Sequence, residues 1–177
     1  ASALESSPTI DYSKTGSLSV YKYDLTKAEA DGAWDTNAYV STGLYDQSVI
    51  DKMANYAVPG VEFTYLRVAD IALHTEQDDS GSKIITLYGF ADNESTNTVL
   101  SAIGLSASEA YSSENGVFYF TSDSINSALA AALAANSTVV KTALESHIKS
   151  AGGTAMNVTD EYGHSSADGL ELGLYLI

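Results

Sequence analysis

Lys22 is the residue whose placement most invites chemistry. In "TGSLSVYKYD", residues 15–24, the two-residue alternation of an extended strand puts Leu18, Val20 and Lys22 on one face and Ser19, Tyr21 and Tyr23 on the other. An ammonium facing an apolar core is costly unless it is paired or gives up its proton. Three readings are therefore open: a strand-end lysine that snorkels into water, a buried ion pair, and a nucleophile.

Other reactive side chains are sparse or unpatterned. The three histidines, His74, His147 and His164, share no metal-binding spacing and read as solvated surface residues. Serines are plentiful, but no G-x-S-x-G elbow marks one as a nucleophile. The acidic stretches "EQDDSGS" and "TDEYGHSSAD" offer oxygen ligands without the calcium-loop spacing, so they read as turns. "AGGTAM" follows a helical segment instead of opening one, which gives no phosphate cradle. Asn93-Glu94-Ser95, Asn136-Ser137-Thr138 and Asn157-Val158-Thr159 match the glycosylation sequon, as chance allows in so Ser/Thr/Asn-rich a chain. These readings assign no catalytic residue, no metal and no cofactor.

The bulk composition narrows the partners. Eight Lys+Arg against 23 Asp+Glu give a formal charge of −15, which repels polyphosphates and argues against nucleic acid and anionic membranes. No apolar run of about 18 residues long enough to span a bilayer is read, and no apolar or Arg-rich leader, so the chain reads as a mature soluble segment. It has no cysteine, which excludes disulfides and thiolate metal sites. At 177 residues and 45% hydrophobic content it can bury one domain's core. Twelve tyrosines and few basic residues suit an extracellular β-rich protein.

The periodicities predict the elements. Residues 1–14 read as a flexible lead-in, and the first strand as 16–24. A long excursion over 25–57 carries Trp34, Tyr39 and a short helix at 47–56. Strands follow at 61–68, "IITLYGF", 117–121 and 170–177, with an acidic turn at "HTEQDDSGSK" and another strand ending near Thr159. "NTVLSAIGL" reads as a helix closed by Gly104. Ile125, Leu129, Leu133 and then Val140, Leu144, Ile148 repeat every four residues, predicting helices at 124–135 and 138–150. The break falls near Asn136, and Asp123 or Ser124 is the expected N-cap.

Taken in order, "TGSLSVYKYD", "VPGVEFTYLRV", "NGVFYFTSDSINSALAAAL" and "TDEYGHSSADGLELGLYLI" resemble the N-terminal domain of the sortase-assembled major backbone pilins of Gram-positive bacteria. The resemblance covers most of residues 15–177. It implies a mainly β, immunoglobulin-like (Cna B-type) β-sandwich with helical insertions, spanning 15–177 and lacking its closing C-terminal strand. It also implies a non-enzymatic shaft subunit of a covalent, cell-wall-anchored extracellular pilus that supports adhesion. The implied partners are other pilin subunits, a pilin-specific sortase and a host surface receptor.

In that family a first-strand lysine can condense autocatalytically, in a single turnover, with an Asn or Asp of the last strand beside a buried acid. Lys22 matches the donor position, with acceptor and acid outside this sequence; a buried or edge ion pair is the competing reading. Neither a Tyr-Pro-Lys motif nor an LPxTG-like signal occurs, so the resemblance names no polymerisation lysine. Lys14, Lys27, Lys52, Lys83, Lys141 and Lys149 read as solvated. The rival class is an adhesin or glycan-binding module whose platform is Trp34 and the tyrosines of the 25–57 excursion.

Overall fold

A computed structural model describes residues 10–38 and 45–177. The chain runs β1 (Thr15–Tyr21), α1 (Leu25–Ala30), α2 (Gln47–Met53), β2 (Thr64–Asp78), β3 (Gly81–Ala91), α3 (Glu94–Ala102), β4 (Ser112–Glu114), β5 (Val117–Thr121), α4 (Ser122–Ser150), β6 (Thr154–Ala155), β7 (His164–Glu171) and β8 (Leu174–Leu176). Helix and strand occur in about equal amounts, so the mainly β expectation gives way to a mixed α/β architecture with antiparallel sheets. The helical share comes chiefly from the 29-residue α4, and the six-residue α1 lies in a stretch with no predicted helix. By contacts the chain forms two compact units.

The first unit comprises residues 1–16, 64–154 and 171–177. Its sheet runs β4-β5-β3-β2, and β8 pairs with β2. β2 and β3 form a long antiparallel hairpin in register from Asp70↔Gly89 to Asp78↔Gly81. The expected acidic turn over "HTEQDDSGSK" therefore shrinks to its tip at Asp79–Ser80, and the flanking residues join the ladder. Ala69, Phe90 and Phe120 of the sheet meet Val99, Leu100 and Ile103 of the α3 region and Ile125 of α4 in one buried cluster. The Phe90 and Phe120 rings pack edge to face at 5.8 Å. At the chain's start, residues 1–9 of the expected lead-in lie outside the described residues, while the Tyr12 phenol donates to Ile71 O at 2.6 Å.

α4 begins one residue after β5. Because the strand runs straight into it, the N-cap is Thr121, whose hydroxyl accepts the Ser124 N–H at 3.1 Å, and not Asp123 or Ser124. The predicted break is there: Asn136 leaves helical geometry (φ −161°, ψ 88°), and its carboxamide accepts the Val139 N–H. Ile125, Val140 and Ile148 are buried along the apolar stripe. By length and composition α4 could cross a membrane, with mean hydropathy 1.2 over its best window. The interruption splits that stretch into two rods of about 21 Å each, at about 1.5 Å per residue.

The second unit comprises residues 17–63 and 155–170. β1 pairs with β7, and Ala28, Met53 and Met156 are buried. Beyond β1 the Lys22 N–H donates to Gly163 O (2.8 Å) and Lys22 O accepts from Val58 N (2.9 Å). Gly163 stands at φ +71°, where a Cβ would lie 2.4 Å from Lys22 O, so this approach requires glycine. Past β6 the chain is irregular to Thr159, in place of the expected strand. Buried Thr159 holds it by donating from Oγ1 to Val58 O and accepting from Val61 N.

Candidate functional site

Lys22 does not face a core. β1 ends at Tyr21, and the chain then turns toward α1, whose first turn is capped by the Asp24 carboxylate on Lys27 N. Both backbone groups of Lys22 are hydrogen-bonded, while its side chain is exposed, and among the described residues no carboxylate pairs with its amine. The alternation stops one residue short of Lys22, and the strand-end lysine in water is the reading that the geometry matches. The Lys22 side chain, the expected isopeptide donor, is thus exposed and not held inward. The opposite side is aromatic: Tyr21 stacks on His164 at 4.7 Å and lies near-parallel to Tyr23 at 6.3 Å. The Tyr23 hydroxyl is buried and has no hydrogen-bond partner among the described residues.

The expected aromatic platform is dispersed. Trp34 is half-buried, with the Lys52 ammonium 5.8 Å from its ring centre. Tyr56 donates to Asp31 at 3.0 Å, and Tyr45 is exposed. Tyr39 lies outside the described residues. All six lysines read as solvated are exposed.

Acidic turns spend their carboxylates on their own backbone. Asp78 accepts from Ser80 N and Oγ, and the Ser80 hydroxyl holds its carboxyl below the usual aspartate range. Asp160 accepts from Tyr162 N and His164 N. Among the described residues, no group of three or more His, Cys, Asp or Glu is arranged to hold a metal ion.

A different pair is brought together in the first unit. His147, in the last turn of α4, is buried at 6% exposure, contrary to the solvated reading, and its Nε2 lies 3.3 Å from Ser95 Oγ in the first turn of α3. Asn93 caps that turn by accepting the Thr96 N–H at 2.8 Å. Both side chains line a cleft of about 380 Å³, together with Arg67 and Asp70 of β2, Gly89 of β3 and Thr96 of α3. Fifty-two residues separate the pair, and no short motif joins them. One signal existed for the histidine: Val140, Leu144 and His147 follow the i, i+4, i+7 spacing of the buried stripe. Compared with known proteins, the chain matches no family model, no curated protein and no solved structure.

Proposed function

We propose that the chain is a structural shaft module of a covalently polymerised cell-surface pilus. At finer detail we propose a Cna B-type, immunoglobulin-like sandwich fold, with the helical insertion beginning in "NGVFYFTSDSINSALAAAL". The observation that carries this reading is the pairing of early with late strands, β1 with β7 and β2 with β8. A subunit under tension needs its distant segments hydrogen-bonded to each other, and a cysteine-free chain has no disulfide to do it. The proposed role is non-enzymatic and extracellular, at the wall of a Gram-positive bacterium. Sister subunits and a pilin-specific sortase are its partners, and a host surface receptor is the target of the fibre.

Antibodies raised against this chain test the reading on wall extracts of the source organism. The expected result is a ladder of bands resistant to boiling in detergent. A single monomeric band in both wall and medium would overturn it. The adhesin alternative has weaker support, because Trp34 packs against Lys52 and is only partly open to a sugar.

A further inference from the structure

We infer that Ser95 and His147 form a reactive dyad that is acylated by small activated esters in the cleft of the first unit. This goes beyond the shaft role and does not depend on it. A serine hydroxyl becomes a nucleophile when a base stands within hydrogen-bond reach, and such pairs are often somewhat long before substrate binds. The 3.3 Å separation of His147 Nε2 from Ser95 Oγ meets that condition. Burial of the imidazole at the end of α4 holds it in one place, while Ser95 itself is exposed and reachable from outside. A cleft of about 380 Å³ is at the small end of ligand sites, which limits the substrate to a short acyl group on a good leaving group.

The step balances without a cofactor. Ser95 Oγ bonds to the acyl carbon as its proton passes to His147 Nε2. The C–O bond to the leaving group breaks, and the imidazolium returns the proton to the departing oxygen. Water, deprotonated by the same nitrogen, then cleaves the acyl-serine to a carboxylic acid and restores the hydroxyl. Among the described residues no carboxylate hydrogen-bonds to His147, so the unit is a dyad and its deacylation is slow.

A fluorophosphonate probe on the whole chain, followed by peptide mapping, tests this. Ser95 should be labelled at least about 100-fold faster than exposed Ser101 and Ser127, the low end of what a positioned base contributes. Ser95→Ala should remove the label, and His147→Asn should reduce Ser95 to the background rate. Uniform labelling of the serines, or an unlabelled Ser95, would overturn the proposal. A second measurement does not require changing the buried histidine. Ser95→Cys and Ser127→Cys each introduce the sole thiol of a cysteine-free chain, and iodoacetamide at neutral pH should alkylate the first at least about tenfold faster. Equal rates would sink the dyad.

Discussion

The Arg67 guanidinium grips the Leu172 carbonyl with two donors, Nη2 at 2.6 Å and Nε at 3.2 Å. Asp70 lies 2.7 Å from the same guanidinium and Glu171 3.8 Å. One side chain of β2 thereby fixes the bend two residues before β8 begins its run alongside β2. Arg67→Ala should cost about 1.5–3 kcal/mol in urea denaturation, the range for hydrogen bonds involving a charged group. Arg67→Lys, which cannot reproduce the fork, should recover only part of this. An unchanged midpoint for the alanine variant would mean that β8 is held by its ladder alone.

At Gly163 the constraint is steric. A Cβ there meets Lys22 O at 2.4 Å on a backbone already at φ +71°. Gly163→Ala should destabilise the chain by about 1–3 kcal/mol, the scale of a strained backbone position. Thermal melts of the two proteins decide it, and coincident curves would refute the contact.

The helix interruption makes a milder prediction. Asn136→Ala removes the cap on Val139 N and should cost about 1 kcal/mol. Amide exchange at Val139 and Val140 should quicken while that of the first half of α4 stays unchanged. Slower exchange would mean that the alanine had fused the two rods into one helix.

Lys22 gives a prediction by mass. With its amine in solvent, the intact chain should show its full sequence mass, with neither ammonia nor water lost, and Lys22→Ala should leave its resistance to trypsin elsewhere unchanged. A loss of about 17 or 18 Da, the mass of ammonia or of water released by lysine amide formation, restored by Lys22→Ala, would reinstate the cross-link.

Acid should loosen α2 first at its cap. The Asp46 carboxylate accepts from Ser48 Oγ, Ser48 N and Val49 N, and these bonds, the Ser48 hydroxyl foremost, hold it below the usual aspartate range. A carboxyl depressed in the folded state contributes its full stabilisation above the unfolded value near about 3.9 and loses it as pH falls through the folded value. Amide shifts of Ser48 and Val49 should move together between about pH 4 and pH 2 on that account. In Asp46→Asn they should hold still.

Local rules carried much of the secondary structure. The four-residue repeats placed both halves of α4, and Asn136 between them marked the break because its short carboxamide can cap the next helical turn. Glycine at 104 marked the end of the α3 region, where it takes φ +77°. Strand ends were less legible: alternation alone could not reveal that the ladder of β1 stops at Tyr21 or that β2 and β3 continue almost to Asp79. Those limits depend on a partner strand distant in sequence. The meeting of Ser95 and His147 was illegible for the same reason, since it is created by the packing of α3 against α4, although the stripe through Val140 and Leu144 already pointed His147 inward.

The joining of early strands to late ones also sets a timetable. Ser19 and His164, adjacent across β1 and β7, are 145 residues apart, and Arg67 and Leu172 are 105 apart. Neither contact can form while the ribosome still holds the later partner, and closing such long loops costs entropy before any strand pairing offsets it. β1 consequently emerges without its mate and waits, whereas β2 can fold back at once on β3, and only the β1–β7 ladder and the β8 edge must wait until residues 164–176 are clear of the exit tunnel.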